Sequence, residues 1–215
     1  MRIAGLDEAG RGSLLGPLAV AIVVVRAEDQ ASLRAAGAKD SKLLPPRSRE
    51  RVARAVMRIA DWRVLLIPPW AVDRSTRARG GNLNRLEAAA FAKLISAANP
   101  DIAIVDSPDP VAERFGSLVE GMAAGMGART RVLARHHADL LYPVVGAASV
   151  VAKVHRDRAI AAYRARYGDL GSGYPHDGRT LRFLLSWTTR WRDYPYIARR
   201  EWATLRRIEQ KDRGT

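Results

Sequence analysis

The chain contains no cysteine among its 215 residues. It therefore has neither disulfide bonds nor thiolate ligands for a metal ion. It also lacks an uninterrupted apolar run of about 18 residues, the length that a membrane-spanning helix needs. Arg2 is followed directly by a short apolar stretch, which is not the pattern of a signal peptide. These absences predict a cytoplasmic protein that does not contact a membrane.

Acidic residues are scarce relative to basic ones. The sequence has 22 Asp and Glu against 36 Lys and Arg, which gives a formal net charge of +14. A surplus of this size favours a polyanionic partner, and nucleic acid is the usual one. Ordinary solubility charge, or a genome that favours arginine codons, is the alternative explanation.

Short apolar runs alternate with amphipathic segments along the chain. We predict strands over residues 2–7, 17–26, 62–67, 102–105 and 129–134, and helices over 45–60, 83–98, 110–125, 144–166 and 179–189. The first two strands are expected to pair as a hairpin-like unit. Because there is no internal repeat and no low-complexity linker, the pattern indicates one α/β domain with a helical C-terminal portion.

Two adjacent carboxylates, Asp7 and Glu8, end the first strand, and Gly10-Arg11-Gly12 follows at once. Carboxylates at the end of a buried strand cost free energy unless a positive group compensates them. Oxygen ligands of this kind suit magnesium or manganese. The glycines let backbone approach a ligand closely, and the guanidinium can meet a phosphate. Since neighbouring strand residues point to opposite faces, Asp7 and Glu8 can share one site only if the strand ends or kinks after them.

Two further carboxylates follow predicted strands. Asp106 ends the fourth strand, and Asp139 comes shortly after the fifth. Ligands of open α/β sheets sit at this edge, and two divalent ions there could bridge the attacking and leaving oxygens of a phosphodiester. Each residue also has an ordinary structural reading: Asp106 as a turn or N-cap residue, and Asp139 as a helix-start cap. His136 and His137 lack a partner at metal-binding spacing, so a surface or phosphate-contact role is favoured over zinc.

The segment Gly171-Ser172-Gly173-Tyr174-Pro175 holds an aromatic ring between turn residues. Such a ring can stack on a sugar or base, or it can fill a hole in the core. Three basic residues on the preceding helix are read as solvated charges, with phosphate contact as the alternative: Lys153, Arg156 and Arg158. The C-terminal aromatic cluster either forms a stacking face for nucleic acid or packs the terminal helices onto the core; it comprises Trp187, Trp191, Tyr194, Tyr196 and Trp202.

Together these segments resemble ribonuclease HII, the type 2 ribonuclease H, over almost the whole chain. The motifs that carry the resemblance are Gly5-Leu6-Asp7-Glu8-Ala9-Gly10-Arg11-Gly12, Gly16-Pro17, Asp40-Ser41-Lys42-Leu43, Val105-Asp106, Ala138-Asp139, Tyr142-Pro143-Val144-Val145, Ala147-Ala148-Ser149, Ala152-Lys153, Arg156-Asp157 and Gly171-Ser172-Gly173-Tyr174-Pro175. The short segments around Asp139 look closest to archaeal-type members of that family.

The resemblance implies an RNase H-like fold, which is a mixed five-stranded sheet flanked by helices with a small helical C-terminal region. It divides the chain into a catalytic domain over residues 1–185 and a C-terminal region over 186–215. It also implies endonucleolytic cleavage of the RNA strand of RNA–DNA hybrids, and cutting 5′ to single ribonucleotides embedded in duplex DNA. A monomer is expected.

By motif position, the resemblance assigns four acidic active-site residues that hold two Mg²⁺ or Mn²⁺ ions during catalysis: Asp7, Glu8, Asp106 and Asp139. It assigns the reading of the ribonucleotide, through its 2′-hydroxyl and adjacent phosphates, to Gly10, Arg11 and Gly12. Tyr174 would pack on the deoxyribose that follows the ribonucleotide, and Lys42 would contact a phosphate.

Some positions depart from the family pattern. Ser13 stands where proline is common, Leu140 where a second aspartate is frequent, and His176 and Gly178 where serine and proline are usual. None of these changes removes an expected ligand. Two other functions stay open at this point: a non-catalytic hybrid-binding protein on the same fold, and another RNase H-like metal nuclease such as a DNA junction resolvase.

Overall fold

A computed structural model describes residues 1–38, 45–78 and 82–205. Its centre is a five-stranded sheet in the order β3-β2-β1-β4-β5. The strands are β1 (Arg2–Ala9), β2 (Leu18–Arg26), β3 (Asp61–Ile67), β4 (Ile102–Asp106) and β5 (Arg131–Arg135). β1 and β2 are antiparallel, whereas β4 runs parallel to both β1 and β5. The predicted mixed five-stranded sheet is confirmed.

Helices occupy most of the remaining described chain. They are α1 (Gln30–Ala35), α2 (Pro46–Ile59), α3 (Pro69–Arg77), α4 (Leu83–Ala98), α5 (Ala112–Gly125), α6 (Ala138–Leu141), α7 (Pro143–Tyr167) and α8 (Gly178–Trp191). The five predicted helices correspond to α2, α4, α5, α7 and α8. The sequence analysis missed the short helices α1, α3 and α6. The sequence does carry a signal for α3, because the helix begins at Pro69 and proline suits the first turn of a helix.

Residue contacts divide the chain into two compact units. The first unit comprises the described residues of Met1–Ala9, Ala19–Leu65 and Asn84–His155; the second comprises those of Gly10–Leu18, Leu66–Leu83 and Arg156–Thr215. Each has its own apolar core. In the first unit, β1 and β2 pack with one face of α7. In the second, Leu14 and Leu15 pack with residues of α7, α8 and the segment after α8.

Two glycines let the start of α7 pack tightly in the first unit. A Cβ on Gly5 of β1 would lie 2.3 Å from the backbone C and O of Val144. A Cβ on Gly146 would lie 2.3 Å from the carbonyl oxygen of Ala38 and 2.9 Å from that of Asp139. Backbone atoms could move away from a Cβ only by separating the elements. Glycine at these two positions therefore allows α7 to pack directly against β1 and against the residues around Asp139.

In the C-terminal part, the described chain contains α8 and a helical segment at residues 203–205. α8 spans the expected boundary at residues 185 and 186, and ends at Trp191. From Arg192 to Trp202 the chain forms turns and one isolated bridge, between Leu15 and Ala198. Across the described parts of the chain, every helix is too short or too polar to cross a membrane.

Candidate active site

Asp7 lies near the end of β1, in the first unit, and only 4% of it is exposed. Its Oδ1 accepts a hydrogen bond from the backbone N–H of Glu8 at 2.7 Å. The strand does not end after these residues, because its pairing with β2 continues to Ala9 opposite Ala19. Glu8 is half-buried, and its charge is close enough to that of Asp7 to help raise the pKa of the Asp7 carboxyl.

Asp106 is the last residue of β4 and lies beside β1. The final partners of the parallel β1–β4 ladder are Leu6 and Val105, so Asp7 and Asp106 each come one residue later at the same sheet edge. Oδ1 of Asp106 accepts the backbone N–H of Ala138, the first residue of α6, at 2.7 Å. Asp106 thus lies at the sheet edge and also satisfies a backbone N–H in the first turn of α6.

Asp139 is buried in the first turn of α6, with 2% of the residue exposed. It is not the helix-start cap. That position belongs to His137, whose φ of 54° places it in the left-handed region. The contact between Asp106 and the N–H of Ala138 brings the end of β4 to the residue just before Asp139. The end of β4 therefore lies next to the start of α6 in the first unit, and each carries one of the predicted carboxylates.

The electrostatics of Asp7 reflect this crowding. Burial is the largest cause that raises the pKa of the Asp7 carboxyl well above its ordinary value of 3.8, and the charges of Glu8 and Asp106 raise it further. Hydrogen bonds from the Ser149 hydroxyl and the Glu8 backbone offset part of this rise. The neutral form is thus favoured at a position where like charges are held close together.

Ser149, which the sequence analysis did not predict as a site residue, contacts Asp7. It is fully buried on α7, and its hydroxyl hydrogen-bonds the Asp7 carboxylate. Its Oγ also accepts a hydrogen bond from the Lys153 ammonium at 2.9 Å. A serine within an apolar helical stretch was the available signal. Lys153 is half-buried, so its ammonium joins this chain of hydrogen bonds instead of standing free in solvent.

The carboxylates suit a hard divalent cation. In residues 1–38, 45–78 and 82–205, no three Asp, Glu, His or Cys side chains are already arranged to hold a metal ion. These residues nevertheless have the chemistry that such a cation needs. Asp7 is a buried carboxylate with like charges beside it, and a bound cation would offset both the free-energy cost of burying its charge and the repulsion from its neighbours. His136 is not directed to this site, because its Nε2 forms a hydrogen bond with the carbonyl oxygen of Asp109 at 2.8 Å.

The segment Gly10–Gly12 belongs to the second unit. Gly10 has a φ of +88°, and a Cβ there would lie 2.9 Å from the carbonyl oxygen of Pro17. Gly12 differs, since it is exposed and a Cβ would meet no described atom within 4 Å. Ser13, the departure from the expected proline, closes the turn itself: its N–H and hydroxyl both donate to the Gly10 carbonyl, at 3.3 and 2.9 Å.

A buried arginine that sequence reasoning missed supports this segment. Arg199 is fully buried, and it donates from Nε to the carbonyl of Gly16 at 3.2 Å and from Nη1 to that of Arg11 at 2.8 Å. Its backbone N–H donates to Leu14 at 2.9 Å. In a chain so rich in arginine, the sequence offers no signal that separates a buried guanidinium from a solvated one.

The Tyr174 loop also lies in the second unit. Gly171 and Gly173 have φ values of +66° and +83°, a backbone conformation that residues with a Cβ rarely adopt. Asp177 ties the loop to α8, because its carboxylate accepts the N–H groups of Ser172 at 2.7 Å and of Arg179 at 2.9 Å. The Tyr174 ring is half-buried and stacks on His176, with ring centroids 5.5 Å apart.

The C-terminal aromatic residues divide between packing and exposure. Tyr194 is buried and donates its hydroxyl to the carbonyl of Leu205 at 2.8 Å, while Trp187 and Trp202 pack against the second core. Trp191 and Tyr196 are 56% and 69% exposed. Packing thus accounts for three of the five residues. Lys42 lies outside the described residues.

The chain was compared with known proteins. The family model for ribonuclease HII matches residues 4–205. A curated ribonuclease HII from Thermofilum pendens is 46% identical over 96% of this chain and 99% of its own length. Another, from Pyrococcus abyssi, is 40% identical over 98% of this chain and 92% of its own.

Solved structures give the same result. The crystal structure of ribonuclease H2 from Pyrococcus horikoshii OT3 has a TM-score of 0.91, with 40% identity and complete coverage of both chains. A ribonuclease HII in complex with PCNA, from Archaeoglobus fulgidus, has a TM-score of 0.86 and 39% identity over 94% of this chain and 95% of that one. A Bst-RNase HIII at 22% identity has a TM-score of 0.81, over all of this chain and 71% of its own, and supports the fold alone.

The expected resemblance is confirmed by relatives that match nearly end to end, and several of those relatives are archaeal. This chain belongs to the ribonuclease HII family and is a metal-dependent ribonuclease H, an endonuclease that acts on RNA–DNA hybrids.

Proposed function

We propose that this ribonuclease H also cuts 5′ to single ribonucleotides embedded in duplex DNA, and that it leaves 3′-hydroxyl and 5′-phosphate ends. The observation that carries the proposal is the pairing of parallel strands that end in Asp7 and Asp106, together with the hydrogen bond from the backbone N–H of Ala138, the residue before Asp139, to Asp106. The surplus of basic residues, 36 against 22, adds attraction for a polyanionic duplex.

Asp7, Glu8, Asp106 and Asp139 would hold two Mg²⁺ or Mn²⁺ ions in the working enzyme. When bound, such ions supply an activated water nucleophile and charge stabilisation at the departing 3′ oxygen. Contacts from this chain orient the carboxylates beforehand: the Glu8 N–H and the Ser149 hydroxyl bond Asp7, and the Ala138 N–H bonds Asp106. Ligand side chains fixed in this way lose little freedom when a cation binds.

The second unit would supply substrate discrimination. Gly10, Arg11 and Gly12 would read the 2′-hydroxyl and adjacent phosphates, chiefly by backbone, and the open space beside Gly12 leaves room for a ribose to approach. Tyr174 would pack on the deoxyribose after the ribonucleotide, and Lys42 would contact a phosphate. We further propose that the enzyme works as a cytoplasmic monomer, with hybrid and ribonucleotide-containing duplexes as its partners.

One cleavage experiment tests the proposal. An end-labelled DNA duplex with one ribonucleotide, the matched all-DNA duplex and a long RNA–DNA hybrid are incubated with the protein, with Mg²⁺ or with excess chelator. We expect cutting immediately 5′ to the ribonucleotide, and cutting of the hybrid, only with metal. Cutting of the all-DNA duplex would indicate a junction-resolvase type of nuclease instead. Binding without any cleavage would indicate a non-catalytic protein.

A further inference from the structure

Arg156 is buried, whereas the sequence analysis predicted a solvated charge at this position. It lies on α7 within the second unit, and 4% of it is exposed. Its Cζ lies 4.3 Å from the centroid of the Tyr174 ring. Its Nη2 donates to the carbonyl oxygen of Ser172 at 2.7 Å. The guanidinium therefore holds both the ring of Tyr174 and the backbone two residues before it.

Two glycines shape the space around this guanidinium. A Cβ on Gly10 would lie 3.0 Å from Nε of Arg156, and a Cβ on Gly173 would lie 3.0 Å from its Nη2. Both glycines have positive φ, +88° and +83°. The carbonyl of Gly173 in turn accepts the N–H groups of Leu14 and Leu15, at 2.7 and 3.1 Å. Arg156 thus sits where the Gly10 segment and the Tyr174 loop meet.

These contacts need a planar guanidinium. One edge of the group donates to Ser172 while its face lies over the Tyr174 ring, a combination that the ammonium of lysine cannot reproduce. A cation over an aromatic face is attracted more strongly where both are shielded from water. The only counter-charge within ion-pair distance in the described chain is Asp157, 3.6 Å from Nη1 and itself half-exposed.

We propose that Arg156 is a positioning residue for substrate discrimination: it fixes the Tyr174 ring relative to the Gly10 segment, so that a ribose and the deoxyribose after it are read at a set spacing. This inference rests on the proposed roles of Gly10–Gly12 and Tyr174. It adds a buried residue that does not itself touch substrate. The stacked His176 ring is a second support for Tyr174, on the loop side.

The test compares Arg156→Lys with Arg166→Lys. Arg166 is a matched control, because it lies on the same helix with its Cζ 5.6 Å from the Tyr167 ring, but is exposed. The readout is the ratio of kcat/KM on single-ribonucleotide DNA to kcat/KM on a long hybrid. We expect Arg156→Lys to lower this ratio about tenfold, because an ammonium cannot keep the Ser172 hydrogen bond and the contact with the Tyr174 ring together, and Arg166→Lys to leave it unchanged.

A double-mutant cycle separates positioning from general damage. If Arg156 acts through Tyr174, Arg156→Lys lowers the ratio no further in a Tyr174→Ala background. Equal loss on both substrates, or a full additional loss in that background, overturns the proposal. Should Arg156→Lys not fold, as judged by thermal unfolding, Arg156→Gln replaces it, since it removes the buried charge and keeps a donor for Ser172.

A crystal structure of the substituted protein tests the inference apart from the proposed function. If the unsubstituted protein cuts neither substrate, the proposed function fails, and the position of the Tyr174 ring in the Arg156→Lys crystal structure decides the inference. A ring displaced from its position in the unsubstituted protein supports positioning by Arg156. An unmoved ring overturns it.

Discussion

Asp7 and Asp106 occupy corresponding positions on neighbouring parallel strands, each one residue beyond the Leu6–Val105 pair. Their negative charges are close enough that Asp106 helps to raise the pKa of the Asp7 carboxyl, after the larger effects of burial and Glu8. A fold that holds like charges together in this way loses stability for it. A divalent cation bound by the pair would neutralise this repulsion, so we expect metal binding to raise the stability of the protein.

Asp7→Asn should separate activity from stability. We expect cleavage to fall by about a hundredfold or more, as is usual when a charged group that stabilises the transition state is lost, while hybrid binding is largely kept. Without metal, the variant should melt at a higher temperature than the unsubstituted protein at pH 7, because a buried repelled charge is gone. Adding Mg²⁺ should raise the melting temperature of the unsubstituted protein and leave that of the variant nearly unchanged.

The sign of the pH dependence of Asp7 follows from its raised pKa. Between the ordinary value of 3.8 and the folded value, the folded protein binds more protons than the unfolded chain, so stability falls as pH rises through this window. The melting-temperature advantage of Asp7→Asn in chelator should therefore grow from pH 4 towards neutrality. An advantage that shrinks as pH rises would contradict the burial of an unpaired carboxyl at this position.

Gly5→Ala should destabilise the protein severely. The new Cβ would lie 2.3 Å from backbone atoms of Val144, so β1 and α7 would have to separate, at a cost of about 3 kcal/mol or more in the free energy of unfolding. Gly121→Ala is the control, since Gly121 lies within α5 with no described atom within 4 Å of a Cβ. It should stabilise by roughly 0.5–1 kcal/mol. Chemical denaturation measures both values.

Gly12→Ala tests whether backbone at this position meets the substrate. The open space around Gly12 predicts an unchanged melting temperature, whereas a methyl group between backbone and ribose should lower kcat/KM about tenfold or more. Gly10→Ala should instead lose about 1–3 kcal/mol of stability, because Gly10 has positive φ and close neighbours. Full activity of a normally folded Gly12→Ala would exclude a substrate contact there.

Tyr174→Ala should affect one substrate selectively. Loss of a stacking ring is expected to reduce cutting of DNA with one embedded ribonucleotide about tenfold or more, and to affect long hybrids much less. Steady-state kinetics on the two substrates measures this difference. An equal reduction on both would show that Tyr174 does not read the RNA-to-DNA junction.

Asp177 links the Tyr174 loop to α8 in a pH-dependent manner. Backbone N–H groups of Ser172 and Arg179 are the main causes that hold the pKa of Asp177 far below its ordinary value of 3.8. The stabilisation is therefore present above about pH 4 and is lost as pH falls below it. Asp177→Ala should melt below the unsubstituted protein at pH 7, with the difference shrinking towards pH 2. Asp177→Asn should lose less at pH 7, because asparagine also caps helices well.

The candidate carboxylates could be predicted because acidic residues directly after an apolar run are visible in the sequence itself. Asp7, Glu8 and Asp106 each follow an apolar run in the sequence, and the parallel arrangement of β1 and β4 brings two of them to one edge. The continuation of β1 to Ala9 was not predictable, because strand length depends on pairing with β2 and not on Ala9 or Gly10 alone.

The supporting residues depended on tertiary contacts. Arg156 and Arg199 are buried guanidinium groups whose partners are backbone carbonyls and aromatic rings distant in the chain. Arginine is usually exposed, and nothing in the sequence distinguishes these two buried arginines from the exposed ones. Ser149 contacts Asp7 only because Gly5 and Gly146 let α7 lie close to β1 and to the residues around Asp139.

The order of apolar runs, glycines and acidic residues determined by itself the family, the sheet and the identity of the acidic residues, since each of these depends on local spacing along the chain. Only the tertiary structure decided how those groups are held. Hydrogen bonds, like-charge repulsion and cation–π contacts act over a few ångströms in space, and the chain had to fold before such groups became neighbours.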